Sequence, residues 1–358
     1  MDKLRVGVLG ATGMVGQQFV RLLGDHPYFH LASLTGSSRS AGREYSAAVD
    51  WVVSRSIPKS ARNIIVTEST PGWIRDQNLD LVFSALPSDI AGPLETTLAQ
   101  YGLPVFSNAG AHRRDPHVPI LIPEINPEHI GLIEHQDYAG FIVTNSNCST
   151  SGLVFGLKPL LTFGIEQVIV TTYQAVSGAG RHGVSSLDIS GNVIPYIENE
   201  EEKMEWESRK ILGQMRENKI LSSDFEVHAS CARVPVIDGH LESIVVDLRE
   251  SISTEAAMNL FKEYSWGLNT SEINLPTAPQ NPILLLSEKD RPQPRRDLTY
   301  DLDDLGMRVK IGRVRVRGSK VSFFLLVHNT LRGAAGASVL NAEFALAHGY
   351  LTKSEVES

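Results

Sequence analysis

A glycine-spaced run, Gly10-Ala11-Thr12-Gly13-Met14-Val15-Gly16, stands directly behind an apolar stretch at 4–9 and directly ahead of a helix-like stretch at 14–23. No other feature restricts the fold as much. Between a strand and a helix, such glycines allow a tight turn, a close backbone approach to a pyrophosphate and close helix–strand contact. The spacing is G-x-x-G-x-x-G, and a loop that merely turns is the plainer alternative. On this pattern Gly10, Thr12, Gly13, Met14, Val15 and Gly16 are expected to hold a dinucleotide. The second strand should end at the ribose selector, where an NAD enzyme carries an acid. Here stands Thr35-Gly36-Ser37-Ser38-Arg39-Ser40, with no acid. Ser37, Ser38, Arg39 and Ser40 suit a 2′-phosphate, so the expected cofactor is NADP; a solvated serine-rich turn is the bland alternative.

The residues up to 147 alternate short apolar runs with helix-like ones. That alternation predicts a parallel sheet wound with helices, with strands at 4–9, 30–34, 63–66, 81–85, 104–107 and 141–144, and helices at 14–23 and 92–101. After Cys148 the pattern changes. Longer strands, expected to be antiparallel, fall at 167–176, 225–234, 240–249, 307–316 and 321–328, with helices at 200–218 and 254–264. Gly318-Ser319-Lys320 supplies a hairpin turn. The proline-rich stretch 276–294 reads as a long loop, placed either to reach a neighbouring subunit or to cover the site. The Ala- and Gly-rich sequence from Leu331 onward is helical. The expected fold class is therefore α/β. A Rossmann-like, parallel-sheet NADP domain spans 1–147, with a C-terminal helix at 331–358 packed back on it. An α+β substrate and dimerisation domain with a mostly antiparallel sheet spans 148–330.

A net charge of −8 argues against nucleic acid or an anionic membrane as the main partner. Arg313, Arg315 and Arg317 alternate as one face of a strand. Two cysteines are too few for a disulfide framework and fit a reducing compartment. The first strand begins at residue 4, which leaves no room for a leader, and no apolar run nears the ~20 residues a membrane helix needs. A cytoplasmic location is expected, and no metal.

Cys148 sits in Thr144-Asn145-Ser146-Asn147-Cys148-Ser149-Thr150-Ser151-Gly152, between a strand-like run and a helix-like one. Unpaired N–H groups and the helix dipole favour a thiolate there, which makes Cys148 a nucleophile candidate. A small buried residue at a crowded turn is the alternative. Cys231, mid-strand and in apolar company, reads as core packing. Further along, Arg233 and His240 bracket a Gly239 turn. An arginine can grip a carboxylate through two parallel bonds while an imidazole moves a proton.

Together the Gly10–Gly16 loop, the Ser146-Asn147-Cys148-Ser149-Thr150 run, Gln174 and the Arg233–His240 pair closely resemble aspartate-β-semialdehyde dehydrogenase, in its archaeal and fungal branch. The resemblance runs from residue 4 to about residue 350. It implies NADP-dependent, reversible reduction of L-4-aspartyl phosphate to L-aspartate-4-semialdehyde through a cysteine thioester. The route leads to threonine, methionine, isoleucine and, in some organisms, lysine. Cys148 resembles the nucleophile, His240 the acid/base that takes the hydroxyl proton as hydride leaves, and Gln174 the glutamine near the acyl group. Arg233 matches the residue that binds the substrate carboxylate. Glu200 and Glu201 are both candidates for the amino group, and Lys203, Arg113 and Asn147 are implied at phosphate, with Arg114 an alternative to Arg113. Ser84, Ser177, Gly178 and Asn329 are implied at the cofactor. The resemblance also implies a homodimer or homotetramer acting on small molecules. The rival readings are N-acetyl-γ-glutamyl-phosphate reductase, a phosphorylating glyceraldehyde-3-phosphate dehydrogenase and an NADP-binding sensor that has lost its chemistry. The acidic run Glu200-Glu201-Glu202 suits a free amino group and speaks against the first. The lack of a Cys-Thr-Thr-Asn continuation speaks against the second, and the retained Cys148, Gln174, Arg233 and His240 against the third.

Overall fold

The computed structural model describes residues 2–53, 56–181, 183–265, 274–298 and 304–352. Two six-stranded sheets organise it. The first is built from β1 (Leu4–Leu9), α1 (Met14–Leu23), β2 (Phe29–Gly36), β3 (Thr67–Glu68), β4 (Leu81–Ser84), α2 (Ser88–Gln100), β5 (Val105–Ser107) and β6 (Ile142–Thr144), with strand order β3-β2-β1-β4-β5-β6. Every pair in it is parallel. Strands covered on both faces must be apolar throughout, and β4, β5 and β6 are buried along their whole length. Parallel strands end on one side of a sheet, so the loops after β1, β4, β5 and β6 converge there, where open α/β sheets bind ligands.

The second sheet follows α3 (Cys148–Leu157). Its elements are β7 (Ile165–Gln174), α4 (Glu200–Ile211), a small hairpin of β8 (Gln214–Arg216) and β9 (Lys219–Leu221), β10 (Glu226–Arg233), β11 (His240–Leu248), α5 (Thr254–Lys262), β12 (Ile283–Leu286), β13 (Val309–Arg317) and β14 (Lys320–Val327). The order is β10-β7-β11-β14-β13-β12. The three central pairs are antiparallel, but both outer pairs, β10 with β7 and β12 with β13, are parallel. The sheet is mostly antiparallel, as expected; the strand expected at 225–234 instead runs parallel to β7, because the chain between β7 and β10 crosses over through α4. The crossover has a consequence for chemistry: Gln174 and Arg233 become register partners at the same strand end. β11, running the opposite way, starts with His240 at that end. Helices α3, α4 and α5 contact this sheet, while Ile169 and Tyr173 stand exposed on β7.

After β14 the chain makes a π turn, Leu331–Ala335, and enters α6 (Gly336–Ala347). Val339, Leu340, Phe344 and Ala345 of α6 join the apolar core around Val6, Val8 and Phe19.

Several element boundaries differ from the sequence expectation for identifiable reasons. The third strand lies at 67–68 rather than 63–66, because the chain before it is held by backbone bonds to the 42–46 loop, such as Tyr45 N–H to Ile64 O at 2.8 Å. The helix expected at 92–101 begins at Ser88 and runs through Pro93. The helix expected at 200–218 ends at Ile211, where the chain turns into the hairpin through Glu217 and Asn218, both with positive φ. The proline-rich segment 276–294 is not a plain loop, because its apolar run Ile283–Leu286 pairs with β13 at the sheet edge.

Candidate active site

The turn between β6 and α3 is built by asparagines. Asn147 caps α3: its Oδ1 accepts from the N–H groups of Ser149 and Thr150 at 2.9 and 3.0 Å. Asn145 holds the turn from the other side, donating to Asn108 Oδ1 at 2.8 Å and to Ala334 O at 2.6 Å. The π turn packs against the first helical residue so closely that a Cβ on Gly333 would lie 2.8 Å from Cys148 Cβ. Cys148 is thus fixed at the head of α3, partly exposed, on the wall of a cavity of about 740 Å³.

The helix terminus does not by itself make Cys148 a thiolate, because burial outweighs it. Burial raises the thiol well above its ordinary value and the Glu200 carboxylate adds to the rise, while Arg233, Arg113 and the Ser149 N–H pull the other way. Behind the sulfur, His240 Nε2 stands 3.2 Å from Sγ. Burial and the Arg233 charge lower the imidazole to about 3, so the ring is neutral near pH 7. The N–H of Ala175 donates to Nδ1 at 3.1 Å.

Gln174, Glu200 and Arg233 line the same cavity. Glu200 Oε1 accepts from Asn147 Nδ2 at 2.8 Å and from Gln174 Nε2 at 3.0 Å. Arg233 Nη1 donates to Ala175 O at 2.8 Å, so one residue's backbone anchors both the arginine and the histidine. Of the two candidate glutamates only Glu200 reaches the cavity, since Glu201 accepts the N–H of Cys231 at 2.9 Å. Lys203, one turn further along α4, is also on the cavity wall. Arg113 lines it too: its Nη1 pairs with Glu207 at 2.9 Å and its Nη2 donates to Asn108 O at 2.9 Å. Its neighbour Arg114 points outward, pairing with Glu202 over the Trp206 ring. Cys231 is buried core, its sulfur 3.6 Å from that of Met204.

The cofactor candidates fall into three groups. Gly13, Met14, Val15, Ser177, Gly178 and Asn329 line the cavity. Asn329 links the two loops there, accepting from Gly239 N–H and donating to Ser177 Oγ, both at 2.8 Å. Gly10 and Gly16 act through the backbone instead: Gly10 has φ +74°, and a Cβ on Gly16 would fall 2.1 Å from Gly10 O. Such a cradle fits a dinucleotide, since no side chain caps the first turn of α1 and its N–H groups are open to a pyrophosphate. Ser37, Ser38 and Arg39 are exposed after β2, with no acid between 35 and 42, which fits a 2′-phosphate. Three candidates are placed elsewhere. Thr12 packs beside Gly36, Ser84 is fully buried outside the cavity lining, and the Ser40 hydroxyl is turned inward to Ser37 O at 2.9 Å.

Sequence reasoning missed Glu207, Asn145 and the Ala175 backbone. For Glu207 a signal was present: Glu200, Lys203, Glu207 and Lys210 recur at helical spacing on one face of α4.

Comparison with known proteins gives a consistent picture. The family model of the semialdehyde dehydrogenase NAD binding domain matches residues 5–133, and that of the semialdehyde dehydrogenase dimerisation domain matches residues 157–332. The chain is 48% identical over 343 residues to the aspartate-semialdehyde dehydrogenase of Archaeoglobus fulgidus, covering 94% of this chain and 96% of that one. It is 42% identical over 366 residues to that of Saccharomyces cerevisiae, covering 96% and 98%. The solved structure of aspartate semialdehyde dehydrogenase with NADP from Candida albicans matches with a TM-score of 0.88 at 40% identity, over 98% of this chain and 100% of that one.

Proposed function

The chain belongs to the aspartate-semialdehyde dehydrogenase family, and we propose that it performs that family's reaction with Cys148 as nucleophile and His240 as its partner. The enzyme reduces L-4-aspartyl phosphate to L-aspartate-4-semialdehyde, reversibly, in the aspartate route to threonine and methionine. The cofactor is NADP, which when bound supplies or takes the hydride. The observation that carries the residue assignments is the convergence of Cys148, Gln174, Glu200, Arg233 and the Gly13–Val15 loop on one cavity, with His240 3.2 Å behind the sulfur.

In the reductive direction the Cys148 thiol passes its proton to His240 Nε2, 3.2 Å away, as the sulfur attacks the acyl carbon and phosphate departs, leaving a thioester. After hydride addition the carbonyl oxygen bears negative charge, and collapse of that thiohemiacetal oxyanion releases the aldehyde and the thiolate. His240 Nε2 holds that proton while the thioester stands and returns it to the released thiolate; in the oxidative direction it takes the hydroxyl proton as hydride leaves. Arg233 takes the α-carboxylate as a two-pronged donor, and the Glu200 carboxylate takes the α-ammonium. An N-acylated substrate would set a neutral amide against that buried carboxylate, which disfavours the reductase rival. Arg113, Lys203 and Asn147 meet the phosphate, and Gln174 faces the acyl group. Ser37, Ser38 and Arg39 take the 2′-phosphate.

Residues 1–147 with the helix after 331 form the NADP-binding domain in this reading, and 148–330 the substrate domain. The dimerisation domain makes the protein an oligomer. A homodimer, or a tetramer of two dimers, packed through the open face of the second sheet at Ile169 and Tyr173 suits the exposed apolar groups there. Among the described residues no helix is long and apolar enough to cross a membrane, and we place the enzyme in the cytoplasm. The test is NADPH formation from aspartate-4-semialdehyde and NADP⁺ with and without inorganic phosphate. Phosphate-dependent turnover supports the assignment, and an equal rate without phosphate contradicts it.

A further inference from the structure

We propose that Glu207 is a positioning residue that sets the spacing between Arg113 and the turn that carries Cys148. The inference rests on the reading of Arg113 as a phosphate-binding residue and Cys148 as the nucleophile. Glu207 is fully buried on α4. Its two oxygens hold two different loops: Oε1 accepts from Arg113 Nη1 at 2.9 Å, and Oε2 accepts from the backbone N–H of Asn147 at 2.6 Å. One rigid carboxylate therefore spans the loop after β5 and the turn after β6.

The neighbouring side chains on the same helix face reinforce that span. Two turns earlier, Glu200 holds the Asn147 side chain. One turn later, the buried Lys210 ammonium donates to the carbonyls of Arg113, Asp115 and Val118 at 2.7, 2.8 and 3.0 Å. Helix α4 thus grips both loops along one face. Arg113 is tethered at Nη1 by Glu207 and at Nη2 by Asn108 O, while its buried Nε has no hydrogen-bond partner among the described residues. A guanidinium held at both ends with a donor to spare is oriented for an anion in the cavity it lines.

The chemistry needs that spacing. An acyl phosphate has a fixed length from carbonyl carbon to phosphorus, so the cation that holds the phosphate and the sulfur that attacks the carbon must keep a fixed separation. A misplacement of about 1 Å costs on the order of 10²-fold in rate. Glu207→Gln keeps the shape but has one acceptor where two donors need one each, so a tether is lost.

The experiment measures the phosphate KM in the oxidative direction for wild type, Glu207→Gln, Arg113→Ala and the double variant, with thermal melting to confirm folding. Glu207→Gln is expected to raise the phosphate KM about tenfold or more in the wild-type background and less than about twofold in the Arg113→Ala background, since a residue acting through Arg113 has nothing left to position. An unchanged or lowered KM in Glu207→Gln, or the same fold-change in both backgrounds, overturns the positioning role. If Arg113→Ala itself leaves the phosphate KM unchanged, the phosphate assignment fails instead, and the inference with it. Rescue is a second check: Glu207→Asp keeps the charge but not the reach, and a wild-type KM in that variant would also refute a role that depends on spanning two loops.

Discussion

Gly178→Ala is a one-methyl perturbation aimed at the heart of the site. Gly178 has no positive φ, so alanine meets no backbone penalty. The cost is spatial. The new Cβ would lie 2.9 Å from Arg233 Nη1, 3.1 Å from His240 Cε1 and 3.2 Å from His240 Nε2. A comfortable carbon–nitrogen contact is about 3.5 Å, so the arginine and the ring must each retreat by several tenths of an ångström. Neither can do so freely, because Ala175 pins Arg233 through its carbonyl and His240 through its N–H. Weakening one or two such bonds costs about 1–3 kcal/mol, which corresponds to roughly a 5- to 150-fold fall in kcat/KM. The global fold, resting on cores elsewhere, should melt within a few degrees of wild type. The assay is steady-state NADPH formation over a range of semialdehyde concentrations, beside a thermal melt. A wild-type kcat/KM would refute the contact geometry; a collapsed melting temperature would show that Gly178 serves the fold rather than the site.

Two further outcomes follow from the same geometry. Arg39→Ala should narrow the preference for NADP over NAD, read as the ratio of kcat/KM values, and an unchanged ratio would move the 2′-phosphate contact to Ser37 and Ser38. His240 and pH give a stability prediction whose sign can be worked out. Its folded value, about 3, lies below the ordinary 6.5, so between those values the unfolded chain binds the extra proton and stability falls as pH falls. The loss is about 1.4 kcal/mol per pH unit. His240→Gln should therefore lose roughly 2 kcal/mol less than wild type between pH 6.5 and pH 5 in urea unfolding, and parallel losses would mean that the ring is protonated or exposed in the fold.

What the sequence made legible was local. The first strand, the glycine turn and α1 follow one another within twenty-odd residues, and the turn's own glycines mark its shape. Cys148 was equally readable, because a strand end and a helix start flank it. The side chains that complete the site come together through pairings that no short window contains. Gln174 meets Arg233 only because β7 and β10 run parallel, and the intervening crossover hid that orientation. The strand Ile283–Leu286 was concealed among prolines, and only its partner β13 reveals it. The separation of Glu200 from Glu201 turned on a backbone N–H of β10 taking one carboxylate, a contact 30 residues away in the chain. The thiolate expected at the head of α3 illustrates a different limit. The helix terminus was read correctly as a position, but burial and the Glu200 carboxylate dominate its electrostatics, and both are tertiary.

The central claim is a covalent acyl group on Cys148 that phosphate then removes. Mixing the enzyme with aspartate-4-semialdehyde and NADP⁺ in phosphate-free buffer, then following the rise of reduced nicotinamide and the mass of the intact protein, tests it most directly. The account predicts a burst of about one NADPH per subunit and an aspartyl adduct on the peptide containing Cys148, with turnover resuming when phosphate is added. Sustained turnover without phosphate, or an adduct that persists in Cys148→Ser, would contradict it.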